Sequence, residues 1–492
     1  MTEIRFVAEI RAAESQVLAS LPAGELMARA AAGLAATCAR LLRAGGGVYG
    51  ARVVVLVGAG NNGGDALFAA ARLAARGAHV GVVLLGTPHG AGLAAGRAAG
   101  AHVVTVADAS AALRSADLVL DGIVGIGGRG PLTPEGTALA AAAVAGGGLR
   151  VAVDLPSGVL ADTGGVPDPV AVFPANVTVT FGARKAALVL DPAADFAGVV
   201  EVVDIGLGGH WAEPAKWRLA GPPEVARWFS VPVATSNKYL RGVVGIAAGS
   251  REYPGAAVLA AGAARYGGAG YVRYVGAAGA EVLARWPEIV VGTGRVQAWV
   301  VGPGLGTTEA AAAQVREVLA ADVPVVVDAD ALTLVAREPE LLDMLRARTH
   351  ASVLTPHARE LARLLVAVGF EQESDRLLSV RGLADSLGAI VLAKGPTTIV
   401  APPGGGTGYV VRSGSAALAT AGTGDVLSGL LGSALARAAA GGEPTPVRVA
   451  ELAAAAAWVH GVAGRITAGD PAGPIAAGDL LASLSAAVAG RV

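Results

Sequence analysis

The chain has 492 residues, more than one ordinary domain needs, so two or three are expected. Its 38 basic and 39 acidic residues leave a net charge of −1, which excludes an electrostatic case for nucleic acid or an anionic membrane as partner. The single cysteine, Cys38, excludes an internal disulfide framework and reads as a small buried hydrophobe, while 53% apolar but only 4% aromatic residues predict a Val, Leu and Ala interior with helices packed closely on sheets.

Two helical segments come first, at 7–19 and 23–43. The charged start, with Glu3, Arg5, Glu9 and Arg11, is unlike a signal peptide. Val-rich runs then follow at 52–57, 79–85, 102–106, 117–121, 149–153 and 176–181. They are of strand length, too short to span a bilayer, and a soluble, cytoplasmic protein is expected. Each run is near-continuously apolar, as strands covered on both faces must be, and Ala-rich helical stretches lie between most of them. This is the β-α-β pattern of a parallel, doubly wound sheet. The second half repeats it with runs at 243–248, 270–275, 298–301, 324–327, 352–354 and 389–392, and late helices near 424–440 and 446–467. Gly404-Gly405-Gly406 reads as a hairpin tip. The Gly/Pro-rich stretch from Gly206 to Pro223 reads as the junction, with the boundary near 208–222 and domains at 1–212 and 222–492.

The first strand runs into Gly58-Ala59-Gly60-Asn61-Asn62-Gly63-Gly64-Asp65. The glycines match a dinucleotide fingerprint, a weak signal alone. An ordinary NAD-binding domain also needs an acidic residue after its second strand, and none occurs between Asp65 and Asp108. Asn61-Asn62 ahead of Gly-Gly-Asp is the unusual part, because amide oxygens can ligate a hard cation and glycine amides can cradle phosphate. Asp121 and Asp154 end two further strands, the second continuing Leu155-Pro156-Ser157-Gly158. The loops therefore bring Asn62, Asp121, Asp154 and Ser157 to one sheet edge, with a cation nearby in Thr180-Phe181-Gly182-Ala183-Arg184-Lys185. Taken singly, each of the four is also compatible with a capping or turn role.

In the second half, Gly422-Thr423-Gly424-Asp425 leads into an Ala/Leu helix. Glycine amides at a helix start form an anion hole, and an acid just inside it can act as base beside a phosphate. No Gly-Lys-Ser/Thr follows, so this is no Walker loop. In order before it stand Lys238-Tyr239-x-Arg241-Gly242, Gly249-Ser250, Gly255-Ala256-Ala257, Gly302-Pro303-Gly304-Leu305-Gly306, Asp328-Ala329-Asp330, Thr355-Pro356-His357-x-x-Glu360 and Lys394-Gly395-Pro396-Thr397-Thr398.

These motifs carry two resemblances. Glu14 with Leu26-Met27-x-Arg29-Ala30, the Asn-Asn-Gly-Gly-Asp loop, Asp-Leu-Pro-Ser-Gly at 154–158 and Phe-Gly-Ala-x-Lys at 181–185 resemble the NAD(P)H-hydrate epimerase family. The resemblance implies a Rossmann-like domain and K+ held by Asn62, Asp121 and Ser157. It implies substrate contacts from Asn61, Asn62, Gly63, Gly64 and Asp65, from Gly125, Ile126, Gly127, Gly128, Arg129, Gly130 and Pro131, and from Asp154, which is also the catalytic candidate. Ala66 departs from the family, which often has glycine there; alanine suits a helix start. The second half resembles the ADP- or ATP-dependent NAD(P)H-hydrate dehydratases, in a ribokinase-like α/β domain. It implies substrate near Ala257, Gly306, His357 and Asp425, nucleotide near Lys394, Gly395, Pro396, Thr397, Thr398 and Gly424, and Asp425 as base. ADP, or ATP, with Mg2+ is the implied co-substrate. The order epimerase then dehydratase implies a bifunctional repair enzyme for hydrated NADH and NADPH. Small-residue helices at 7–43 and 446–467 could pack against copies, so a homo-oligomer is expected. The rival enzyme reading is a ribokinase-like vitamin-precursor kinase, which leaves the Asn-Asn-Gly-Gly-Asp half idle. A non-catalytic rival makes the first domain only a nucleotide- or partner-binding module.

Overall fold

Alternate residues of a strand face opposite sides of its sheet, and in the first half both sides are apolar. Val53, Val55 and Val57 pack under the helices Glu25–Ala44 and Asn61–Ala74, while Val54 and Leu56 face a second core with Leu113, Leu139 and Phe173. The structure is a computed structural model that describes residues 2–228, 237, 240–371, 373 and 375–490; Lys238 and Tyr239 of the sequence motif lie outside the described residues. The chain divides into two units, Met1–Ala215 and Lys216–Val492.

Among the described residues, one sheet of the first unit has seven parallel strands: β1 (Arg52–Val57), β2 (His79–Leu84), β3 (His102–Val104), β4 (Leu118–Gly122), β5 (Leu149–Val153), β6 (Val177–Phe181) and β7 (Val199–Val203). Their spatial order is β3-β2-β1-β4-β5-β6-β7. The order reverses between β1 and β4, so the carboxyl ends of these two strands open the crevice where such sheets bind ligands. β7 is absent from the sequence expectation because its central Glu201 breaks the apolar run. Glu201 accepts a hydrogen bond from Thr37 at 3.0 Å and pairs with Arg40, so this edge strand is tied to the helix Glu25–Ala44 by polar contacts.

Among its described residues the second unit has ten strands: β8 (Trp217–Leu219), β9 (Val243–Ala247), β10 (Tyr271–Val275), β11 (Val290–Val291), β12 (Ala298–Val301), β13 (Val325–Val327), β14 (Ser352–Leu354), β15 (Ile390–Ala393), β16 (Thr398–Ala401) and β17 (Gly408–Val411). Their order is β8-β17-β16-β15-β14-β13-β12-β9-β10-β11, reversing between β9 and β12. Only β16 runs antiparallel to its neighbours, and Gly404-Gly405-Gly406 is the tip of the β16–β17 hairpin. β8 lies in the stretch read as junction. The helix Thr423–Ala439 crosses the inner strands at close range. A Cβ at Gly432 would sit 2.1 Å from the Val300 side chain, and one at Gly429 2.0 Å from the Ala260 carbonyl oxygen, so only glycine permits this packing. The helix Pro446–Ala468 buries its small residues within its own unit, from Val449 through Gly464. Its Ala-rich surface is consumed by the core and does not supply the face for a second copy that its composition suggests. No helix of the described residues is long and apolar enough to cross a membrane.

Candidate active sites

At the switch point of the first unit two loops meet backbone to backbone. The Gly58 N–H donates to the Gly122 carbonyl at 3.1 Å, and a Cβ at Gly58 would lie 2.0 Å from the Ile123 oxygen. Ala66 is fully buried, and its methyl occupies space that Gly122 leaves open: a Cβ at Gly122 would sit 2.5 Å from it.

The loops enclose a cavity of about 570 Å³. Asn61, Asn62, Asp65, Gly125, Ile126, Gly127 and Asp154 line it, joined by Glu14, Phe181 and Lys185. Gly128 and Arg129 line a smaller cavity of about 280 Å³ that shares Arg11, Ile126 and Gly127 with the first. Gly63 and Gly64 are buried inside the first turns of the helix Asn61–Ala74, where a Cβ at Gly63 would meet the Gly58 oxygen at 2.3 Å. Gly130 and Pro131 line neither cavity.

Asp154 sits at φ 68°, a left-handed conformation costly for a residue with a side chain. That backbone turn coincides with a dense side-chain network. Lys185 Nζ lies 2.5 Å from Asp154 Oδ1 and also donates to Thr180 Oγ1 and the Phe181 oxygen, both at 2.9 Å. Thr180 Oγ1 in turn donates to Asp154 Oδ1 at 3.0 Å. Both members of the ion pair are buried. Two further carboxyls share the cavity. Burial, then the charges of Asp154 and Glu14, push Asp65 well above the carboxylate range. Burial also raises Glu14, with Lys185 pulling the other way.

Behind this cavity, Asp121 is fully buried. It accepts from the Ser157 hydroxyl at 2.7 Å, the Ser157 N–H at 2.8 Å and the Ile123 N–H at 3.2 Å. Burial outweighs these bonds and pushes its pKa up to about 6. The Ser157 oxygen also accepts the Val124 N–H at 2.9 Å, and Asn62 Nδ2 is buried with no hydrogen-bond partner.

In the second unit the site is built on Asp328, at the end of β13. Lys394 Nζ donates to its Oδ1 at 2.8 Å, and Ser428 Oγ donates to its Oδ2 at 2.6 Å. Asp328 thereby joins the loop after β15 to the helix that begins Thr423-Gly424-Asp425. Asp330 accepts the Gly306 N–H at 2.8 Å and fixes the glycine loop after β12. Asp425 stands on the first turn with no hydrogen bond from any described residue. Burial, then the Asp328 charge, push it up to about 7 against the pull of Lys394. Burial opposes the charge on Lys394, but Asp328, Glu360 and Asp425 outweigh it and hold Lys394 above its ordinary value. A Cβ at Gly424 would lie 3.3 Å from Lys394 Nζ, so the helix start and the ammonium adjoin.

His357 caps the helix Ala358–Ala367. Its Nδ1 accepts the Arg359 and Glu360 N–H groups at 3.1 and 3.3 Å, and Glu360 accepts the His357 N–H at 2.8 Å. Its ring remains half exposed. Ala257 is fully buried, with its methyl against Gly249, and Thr397 is fully buried, whereas Gly395 and Pro396 are exposed and Thr398 is partly so.

Three contributors have no role in the sequence reading. Ser428 lies one turn past Asp425, inside an Ala/Leu/Gly helix where a serine carries no signal. Thr180 is one of two alternating threonines in a strand. His460, deep in the helix Pro446–Ala468, hydrogen-bonds the Thr423 backbone; burial holds it down at about 4, and its Nε2 has no partner.

The sequence matches two family models, one described as YjeF-related protein N-terminus over residues 23–187 and one as NAD(P)H-hydrate dehydratase over residues 244–485. A Mycobacterium tuberculosis protein named bifunctional NAD(P)H-hydrate repair enzyme is 47% identical, covering 88% of this chain and 89% of that one. Its Mycobacterium leprae namesake is 46% identical over 97% of this chain and 96% of its own. An NAD(P)H-hydrate epimerase from Clavibacter michiganensis is 49% identical over 42% of this chain and 92% of its own. Among solved structures, an ADP/ATP-dependent NAD(P)H-hydrate dehydratase from Bacillus subtilis, co-crystallised with ATP/Mg2+, is 26% identical, covers 52% of this chain and 92% of that one, and has a TM-score of 0.44. Identity of this order across nearly the full length of both chains places the protein in the family of bifunctional NAD(P)H-hydrate repair enzymes.

Proposed function

We propose that the first unit interconverts the R and S hydrates of NADH and NADPH, and that the second dehydrates the S form at the expense of ADP. The observation that carries this reading is that one chain holds both the Asp154 cavity at the first switch point and a part-buried Asp425 at the N-terminus of the helix Thr423–Ala439.

In the first unit the C6 hydroxyl of the hydrate adjoins the ring nitrogen, whose lone pair can open that centre. Asp154 moves the proton. The all-oxygen set of Asn62, Asp121 and Ser157 suits a hard monovalent cation. A buried carboxylate raised to about 6 and hydrogen-bonded to Ser157 fits a site completed by K+. Such an ion would supply the positive charge that Asp121 lacks.

In the second unit Asp425 takes the C6 hydroxyl proton. The oxygen then attacks the terminal phosphorus of ADP, the bond to the leaving AMP breaks, and a phosphate ester forms at C6. Phosphate leaves far more readily than hydroxide. Its departure with a proton from C5 restores the dihydronicotinamide. Backbone N–H groups at Thr423-Gly424-Asp425 receive the transferred phosphate, and Lys394 beside Gly424 contributes charge. Half-exposed His357 and the loop held by Asp330 are the remaining substrate contacts in this reading. Mg2+ accompanies the nucleotide.

The test is S hydrate incubated with the chain and Mg2+ plus ADP, ATP or neither. Recovery of absorbance at 340 nm with ADP supports the reading, and no recovery with either nucleotide points to the vitamin-precursor kinase instead. The reading includes a cytoplasmic homo-oligomer, which light scattering of the purified chain tests.

A further inference from the structure

The first cavity holds three carboxyls but spends its buried cation on one of them. Lys185 has three N–H bonds, and all three are engaged, by Asp154 Oδ1, Thr180 Oγ1 and the Phe181 oxygen. Asp65 lines the same cavity from the helix Asn61–Ala74 and receives no hydrogen bond from any described residue. The charged groups facing it are Asp154 and Glu14, which repel a second negative charge, and Lys185, whose pull ranks behind both. Arg11, on the cavity wall, acts on Glu14. Asp154 therefore sits in an ion pair while Asp65 retains its proton well above the usual carboxylate range. A carboxyl that keeps its proton beside one held in an ion pair places an acid and a base in one cavity.

We propose that Asp65 is the general acid of the epimerisation, partnered with Asp154 as the base; this rests on the epimerase reading above. Asp65 gives its proton to the C6 hydroxyl. The C6–O bond breaks, its electron pair leaves with water, and the nitrogen lone pair forms a C6=N1 bond. Water then adds to the other face of C6, the π pair returns to nitrogen, and Asp154 takes the proton shed by the new hydroxyl. One water leaves and one enters, and the proton lost by Asp65 arrives on Asp154. Exchange with solvent resets the pair. In the opposite direction the two residues exchange roles, as an epimerase acting on both hydrates requires.

The test uses the full chain and the R hydrate of NADPH without nucleotide, following R-to-S conversion by chromatography across pH. Asp65→Asn is expected to lower kcat by at least about 100-fold, with hydrate affinity within about threefold of the parent. It is also expected to abolish the fall in rate at alkaline pH that loss of the acid's proton causes in the parent. Asp65→Glu is expected to recover at least about tenfold of the lost rate, because it restores a carboxyl. Unchanged S-hydrate dehydration with ADP shows that the rest of the chain is intact. If Asn disturbs the first unit, Asp65→Ser is held to the same thresholds. An Asp65→Asn chain that epimerises within about tenfold of the parent overturns the proposal, as does one whose loss follows weakened binding alone. A parent chain that fails to interconvert the hydrates overturns the epimerase reading itself, so the two failures are distinguishable.

Discussion

Ser428 donates a 2.6 Å hydrogen bond to the same Asp328 carboxylate that Lys394 engages at 2.8 Å on its other oxygen. One buried acid therefore ties the helix carrying Asp425 to the ammonium beside Gly424. Asp328→Ala leaves Lys394 without its nearest counter-charge and Ser428 without its acceptor. Losing one partner of a buried pair costs about 3–5 kcal/mol. Denaturant unfolding of the variant is expected to show that loss, and an unchanged midpoint contradicts the clamp.

The pH behaviour of Asp425 has a definite sign. Its folded value is about 7, against about 3.9 in an unfolded chain. The folded state therefore binds the extra proton, and this contribution is present below pH 4 and lost as pH rises through 7. Asp425→Asn is expected to gain stability at pH 8, on the order of 1 kcal/mol, and nothing at pH 4. Catalysis runs the other way, because the base must be ionised. Dehydration in the parent should rise through about pH 7 and level off, and Asp425→Asn should lower it by about 10²–10⁴-fold with epimerisation unchanged.

Lys185→Met removes the cation from a buried pair and leaves the Asp154 carboxylate uncompensated. A cost of about 3–5 kcal/mol to the first unit is expected, measured by urea unfolding. Lys185→Met combined with Asp154→Asn should recover part of that loss, since neither charge of the pair then remains. Additive losses in the double variant contradict the pairing.

Gly122 and Ala66 form a size-matched pair. Gly122→Ala places a methyl about 2.5 Å from the Ala66 methyl and should destabilise the first unit by about 1–3 kcal/mol. Adding Ala66→Gly should restore part of the loss. Only part is expected, because the new Cβ also lies 3.1 Å from the Leu56 oxygen.

Strands buried on both faces were legible because their apolar runs are continuous. Arg52–Val57, Leu149–Val153, Ala298–Val301 and Ser352–Leu354 stand at the bounds the sequence predicts. Strands with another source of stability were not. Val199–Val203 carries Glu201 toward Thr37 and Arg40, and Trp217–Leu219 is a three-residue strand in a Gly/Pro-rich stretch. The grouping of Asn62, Asp65 and Asp154 around one cavity follows from a β-α-β pattern that brings strand ends to one edge. What the sequence could not display was the use of each charge. Lys185 was legible as a cation near the site, but its saturation by three acceptors exists only in the fold. His357 was legible as a polar residue after a strand, whereas its reciprocal capping with Glu360 depends on the helix that follows.

The central claim, two activities divided between two units, is tested most directly by absorbance at 340 nm on an R and S mixture of NADPH hydrate with Mg2+, K+ and ADP. The account predicts full recovery of NADPH by the parent chain, recovery only of the S fraction by Asp154→Asn, and none by Asp425→Asn. Full recovery by Asp154→Asn at the parent's rate, or any enzymatic recovery by Asp425→Asn at a comparable rate, would contradict it.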